Sequence, residues 1–212
     1  MSQAQMQEIT CPGCGKKQSF RVWDSINTME NPEMKEAVRN DEAFRFHCGD
    51  CGASAMLNYN FLYHEPENRL FIFCDADGSD YSEMRGVLTD QTNAFKDYTR
   101  RIVLSYNDFK EKLLIFDAGL NDKIIEIMKS GIYANLEAHY KDKGIDEVFF
   151  ATNEDGEHGF LLRKEGKMEA AMEFDRSLYD ALAEKAADMI NLYSPTDVII
   201  DKEWARAMME RL

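Results

Sequence analysis

The chain has 212 residues, 44% of them hydrophobic and 11% aromatic, which is enough for a packed core and excludes a disordered polymer. A formal net charge of −14 opposes binding to nucleic acid, whose phosphates recruit Lys and Arg and repel carboxylates. No apolar run approaches the roughly 18 residues of a membrane span. The polar stretch Met1 to Thr10 also lacks the apolar segment of a signal peptide. A soluble, cytoplasmic protein of one or two domains is expected, with no nucleic-acid or membrane partner.

In chain order, Gln18 to Trp23 predicts a strand, because Phe20 and Val22 alternate with Ser19 and Arg21. Asn31-Pro32 opens a short helix from Glu33 to Arg39, with Pro in the first turn where a missing N–H costs nothing. Glu42 to His47 predicts a strand with Phe44 and Phe46 on one face. Met56 to Tyr63 and Arg69 to Phe73 predict two more, joined by the turn His64 to Asn68. Asp75 to Asp80 is acidic and reads as a flexible linker. A helix is expected from about Tyr81, then a strand from Tyr98 to Leu104. Asp108 is expected to cap a helix burying Phe109, Leu113, Leu114 and Phe116, ended by Gly119. Asn121 or Asp122 caps the next helix. A meander follows through Val148–Thr152, Phe160–Leu162 and Met168–Phe174, with Met168, Ala170, Met172 and Phe174 on one face. Asp175 caps a helix striped with Leu178, Leu182, Ala186, Met189 and Ile190. Val198–Ile200 reads as a short strand, and Trp204, Met208 and Leu212 mark a last helix.

The chemistry lies in Cys11-Pro-Gly-Cys14-Gly15 and Cys48-Gly-Asp-Cys51-Gly52. Two residues between cysteines let a tight turn aim both sulfurs at one ion. Glycine after the second cysteine accepts the positive φ that the turn demands. Two such knuckles supply four sulfurs at tetrahedral geometry, which suits zinc. The 33 residues between the knuckles hold a strand, a helix and a strand, enough to bring them face to face. The metal ligands are thus Cys11, Cys14, Cys48 and Cys51, with one structural Zn2+ per chain expected. A rubredoxin-like iron site uses the same two turns and stays open as the alternative. A disulfide is disfavoured in a reducing compartment. Four thiolates leave no coordination position for water, so metal-assisted catalysis is not expected. Cys74 reads as a small buried hydrophobe. Residues 1–75 carry seven Lys and Arg against eleven Asp and Glu, so no basic patch accompanies the knuckles.

The chain resembles the CpXC family, an uncharacterised and mainly bacterial group named for its Cys-Pro-x-Cys knuckles. The resemblance rests on Ile9-Thr-Cys-Pro-Gly-Cys-Gly15, Val22-Trp-Asp-Ser-Ile-Asn27, Phe46-His-Cys-Gly-Asp-Cys-Gly52 and Leu62-Tyr-His64. Residues 98–130, with Asn107-Asp108, Ile115-Phe-Asp117 and Asp122, are similar to the region that often follows in that family. The second knuckle departs from the pattern, with Gly49 where proline is expected. The resemblance implies a zinc-ribbon-like fold and no particular activity.

Trp23, Asp24, Tyr63 and His64 form the other candidate site. In one reading, Trp23 and Tyr63 wall a ligand pocket in which Asp24 and His64 supply acid–base groups. In the other, Trp23 packs in the core and Asp24 with Asn27 shapes the loop before the first helix. The expected architecture is α+β. Residues 1–75 form a zinc-ribbon-like module, and residues 81–212 form an α+β region that is mainly helical over 81–135. A β-meander with flanking helices follows over 144–212. The expected role is a non-enzymatic recognition or adaptor module for a protein or small molecule. The alternatives are an iron electron carrier and a hydrolase using Asp24 and His64.

Overall fold

A computed structural model describes the backbone of residues 1–92, 94–139 and 144–211. Leu212, expected on the last helix, lies outside them. The described residues form six α-helices and ten strands in three sheets, an α+β protein. The chain divides into two compact units, Met1–Phe109 and Lys110–Leu212.

The first unit contains β1 (Gln3–Thr10), β2 (Lys17–Asn27), α1 (Glu33–Arg39), β3 (Arg45–His47) and β4 (Ser54–Met56). It continues through β5 (Phe61–Glu65), β6 (Leu70–Cys74), α2 (Ser82–Thr89) and β7 (Thr99–Val103). Five strands make one sheet in the order β1-β2-β5-β6-β7, and β3 pairs with β4 in a separate ribbon. The unit does not end at the acidic stretch 75–80, as composition suggested. β7 pairs in parallel with β6 from Leu70–Thr99 to Cys74–Val103, and a parallel pair needs a long crossover, which α2 supplies. The acidic stretch is also ordered. Asn60 Nδ2 donates to Asp75 Oδ1 at 2.9 Å and to Asp77 Oδ1 and Ser79 Oγ at 2.7 Å. Asparagine thus turns the expected linker into a held loop.

Two further expectations change. β1 is a full strand although nearly all its side chains are exposed; it has no apolar face to reveal it and is held by its ladder with β2. The strand expected over Met56–Tyr63 is two strands belonging to different sheets. The core is aromatic: Phe44 lies 4.5 Å from Phe61, and Phe61 lies 4.8 Å edge-on from Phe109, centroid to centroid. Glu65 is fully buried within this core. Its carboxylate accepts from Tyr63 Oη at 2.6 Å and pairs with Lys35 at 2.7 Å and Arg39 at 3.0 Å.

The helix α3 (Tyr106–Asp117) begins in the first unit. Its cap is Ser105 rather than Asp108: Ser105 Oγ accepts from Asp108 N at 3.1 Å and donates to Asp108 Oδ2 at 2.6 Å. Serine thus caps the helix, and the Asp108 carboxylate holds its hydroxyl in place. Gly119 ends the helix at φ +68°, with Gly119 N bonded to Phe116 O and Leu120 N to Ile115 O, a Schellman motif.

The second unit packs α4 (Asp122–His139), α5 (Arg176–Tyr193) and α6 (Lys202–Met209) with the antiparallel meander β8 (Glu147–Thr152), β9 (His158–Lys164) and β10 (Lys167–Glu173). Asp175 caps α5 by accepting from Leu178 N. A register shift between Met168 and Ala170 breaks the expected single face of β10, so Met168 is exposed while Ala170 packs on the core. Val198–Ile200 is not a strand; Val198 and Ile200 are buried without a ladder.

This unit buries a set of charges. Lys129 pairs with Glu111 at 2.8 Å and Glu126 at 3.0 Å, and Lys112 pairs with Asp122 at 3.0 Å and Glu126 at 3.4 Å. Glu111 also accepts the Phe150 N–H at 2.6 Å, and Lys112 donates to Ile200 O at 2.8 Å. Burial alone would push the Lys129 ammonium down, but the carboxylates of Glu126 and Glu111 hold it above its ordinary value. Removing one partner from such a set leaves the others uncompensated.

Two expectations follow from these buried charges. Lys129→Met keeps the bulk and removes the cation, so urea unfolding should show a loss of about 3–5 kcal/mol; an unchanged midpoint would contradict the network's role. For Glu65, burial pushes the carboxyl up, yet Lys35, Tyr63 and Arg39 together hold it below its ordinary 4.5. A depressed folded-state value means stability that is complete above that range and is lost as pH falls through it. Thermal melts between neutral and acid pH should therefore show a shallower decline for Glu65→Gln than for the wild type.

Candidate metal centre

Each knuckle is the tip of a hairpin. Cys11 and Cys14 sit between β1 and β2, and Cys48 and Cys51 sit between β3 and β4. The two tips share one backbone plan. Cys11 N donates to Lys16 O and Cys48 N to Ala53 O, both at 2.8 Å. Gly15 N donates to Cys11 O and Gly52 N to Cys48 O, both at 2.9 Å, and both glycines have φ +73°. Only glycine adopts that φ at no steric cost, which is why each second cysteine is followed by one.

The tips meet. All four sulfurs lie within 4.8 Å of one another, with Cys11–Cys51 at 3.6 Å and Cys14–Cys48 at 3.7 Å. A tetrahedron of zinc–sulfur bonds of ~2.3 Å has edges of about 3.8 Å. Two of the separations match that edge, and the donor set suits a tetrahedral metal ion. Cys11 and Cys48 are buried, Cys14 and Cys51 exposed, and all five cysteines of the chain are free thiols. The buried pair packs with Phe46 and with Ile9, Phe20, Ala53 and Leu57, a small apolar cluster of its own. Phe20 and Phe46 meet edge to face at 6.3 Å and join the two hairpins. The approach is close enough that a side chain on Gly13 would put its Cβ 2.9 Å from Ala53 Cβ and 3.3 Å from Cys51 Sγ.

Backbone N–H groups point at the sulfurs, as in Gly13 N to Cys11 Sγ at 3.3 Å. Burial pushes the Cys11 thiol up, but the N–H groups of Cys14 and Gly13 and the neighbouring sulfurs bring it down to about 7. Cys14 keeps its N–H bond from Lys16, yet burial and the other three sulfurs push it up to about 12. A cation binding among thiols takes them as thiolates and displaces their protons.

A comparison with known protein families matches residues 9–129 to the CpXC protein family. The chain belongs to that family. No curated protein and no solved structure matches the chain. The match spans both knuckles, and the cluster is consistent with a zinc-ribbon-like module. In this CpXC protein the departure at Gly49 leaves a free backbone N–H, and that N–H donates to Gln18 Oε1 at 3.0 Å. Gln18, Lys16 and Asp50 bridge the two tips, and nothing in their spacing marks them in the sequence.

The other candidate residues are not gathered into a pocket. Tyr63 is fully buried, a core side chain and no wall, and Trp23 is 7% exposed. The β1–β2 pairing passes from Gln3–Ser25 to Ala4–Trp23 and skips Asp24. That side chain faces solvent and accepts from Gln5 Nε2 at 3.3 Å. His64 lies among Phe71, Phe95 and Tyr98 at 5.1–5.5 Å, and burial lowers its pKa. A cavity beside Trp23 is lined by Ala4, Gln5, Met6, Arg21 and Trp23 and includes neither Asp24 nor His64. Asn27 does shape the following turn, with Oδ1 accepting from Met29 N at 3.0 Å, whereas Asp24 takes no part in it.

The cysteines can be separated by substitution. Cys48→Ala should leave the dialysed protein with far less than one metal ion per chain by elemental analysis. Cys74→Ala should retain the wild-type content, because Cys74 is a buried strand residue outside the cluster. Equal metal content in the two variants would show that the cluster is not the site.

Proposed function

We propose that this CpXC protein holds one structural zinc ion between its two hairpin tips and works by binding a partner, not by chemistry at the metal. The observation that carries the reading is the closed set of four sulfurs within 4.8 Å of one another. Four thiolates fill a tetrahedral shell and leave no site for a substrate or activated water. Zinc is favoured because it has no redox chemistry, and its binding free energy then becomes folding free energy for a small, strand-poor ribbon. The ribbon β3–β4 has only three residues per strand, too short to hold its register alone. A metal clamp supplies what its packing lacks.

The partner is proposed to be a protein or a small molecule. The net charge of −14 disfavours nucleic acids and anionic surfaces. No helix among the described residues is long and apolar enough to cross a membrane. The reducing cytoplasm, where thiols stay available for a metal, is the proposed compartment.

Metal analysis of protein purified without added metal, together with its visible spectrum, tests the reading. About one zinc per chain and a colourless solution is the expected result. A red protein with about one iron per chain would replace it with electron transfer at the same four sulfurs.

A further inference from the structure

The two knuckles follow the same backbone plan but differ around their buried sulfurs. In the first, Cys11 Sγ accepts from Gly13 N at 3.3 Å, and Pro12 fills the position after the cysteine. In the second, the contact to Cys48 Sγ comes from a side chain on the other hairpin: Gln18 Nε2 lies 3.4 Å from it. The same side chain accepts from Gly49 N through Oε1 at 3.0 Å. Its Nε2 also donates to Asp50 Oδ2 at 2.8 Å. Asp50 in turn pairs with Lys16 Nζ at 2.6 Å. One half-buried glutamine from the start of β2 thus engages three consecutive residues of the opposite knuckle. A proline at position 49, as in the first knuckle, would have no N–H to give it.

We infer that Gln18 is the positioning residue of the metal centre: it delivers an N–H to the Cys48 thiolate across the hairpin interface and sets how slowly the metal leaves. The inference rests on the metal-binding reading above. A thiolate bound to a cation keeps residual negative charge, and an N–H aimed at it stabilises the ligand in its deprotonated form. The Oε1 bond to Gly49 N fixes the amide so that its nitrogen, and not its oxygen, faces the sulfur. The Asp50 carboxylate enforces the same orientation, since it can only accept. Lys16, mostly solvated, adds little by itself. Groups that orient metal ligands from outside the coordination shell change metal affinity by about 10–100-fold when removed.

The test is zinc release from the full-length protein to an excess of a coloured chelator. Gln18→Met keeps the length of the side chain and removes both donor and acceptor. It should release zinc about 10-fold or more faster than the wild type. Gln18→Glu, which places a carboxylate towards the thiolate, should be faster still. Gly49→Pro copies the first knuckle and removes one of the two bonds that orient the amide, so its rate should fall between wild type and Gln18→Met. Cobalt(II)-loaded proteins give a second readout. Loss of the N–H to sulfur should shift the thiolate-to-cobalt absorption of Gln18→Met, whereas a merely loosened fold would leave the band in place. Wild-type release rates and an unshifted cobalt band in Gln18→Met would overturn the inference and leave the metal reading standing. A wild-type chain that takes up neither zinc nor cobalt would remove both. If Gln18→Met does not fold, Gly49→Pro combined with Asp50→Ala, which removes both orienting bonds, decides instead: a wild-type rate refutes the clasp, and faster release supports it.

Discussion

Four sulfurs within 4.8 Å of one another are an unstable arrangement for thiolates alone, because like charges at that distance repel. The local structure of the first unit is built around making it stable. Two hairpins end in the same turn, each closed by a glycine at φ +73°. The turns approach so closely that Gly13 has no room for a side chain. An apolar cluster with Phe20 edge-on to Phe46 excludes water from the two inner sulfurs, and N–H groups face them. These features gather the four donors into one cluster in the folded chain. The longer hairpin, β1–β2, also ties the knuckle to the five-stranded sheet. That explains how β1 persists as a strand while burying almost nothing.

Elsewhere the protein handles charge by the same rule: what is buried is closed. Glu65 is surrounded by Tyr63, Lys35 and Arg39. The second unit gathers Glu111, Lys112, Asp122, Glu126 and Lys129 into connected pairs. Buried ion pairs give little net stability against an apolar core of the same volume, because desolvation offsets attraction. Their consequence is geometric, since each group tolerates few arrangements of its neighbours. Lys112 ties α3 to α4 and to the segment at Ile200, and Glu111 ties α3 to β8 at Phe150. A chain with a large negative charge thus keeps its excess on the surface, where salt screens it, and balances what it takes inside.

Sequence and structure agree where the signal is local. Asn31-Pro32 before Glu33–Arg39, Gly119 at a helix end and Asp175 at a helix start act within four or five residues, and each is where its chemistry requires. They disagree where a neighbour from far along the chain decides. Asp75 to Asp80 has the composition of a linker, but Asn60 holds it and β7 returns to pair with β6. Tyr63 is a residue type that serves a pocket or a core equally well, and its burial makes it core.

By itself the sequence determined which four cysteines would gather, because a Cys-x-x-Cys-Gly turn encodes its own geometry and two of them leave few other uses for four sulfurs. It also determined the α+β class and the family. Tertiary structure alone decided that the first unit runs to Phe109, that charges are buried in closed sets, and that Gln18 reaches across to Cys48. The reason is common to all three. Strand pairing, desolvation and cross-hairpin hydrogen bonds depend on which residues become neighbours in space, and no spacing along the chain records that.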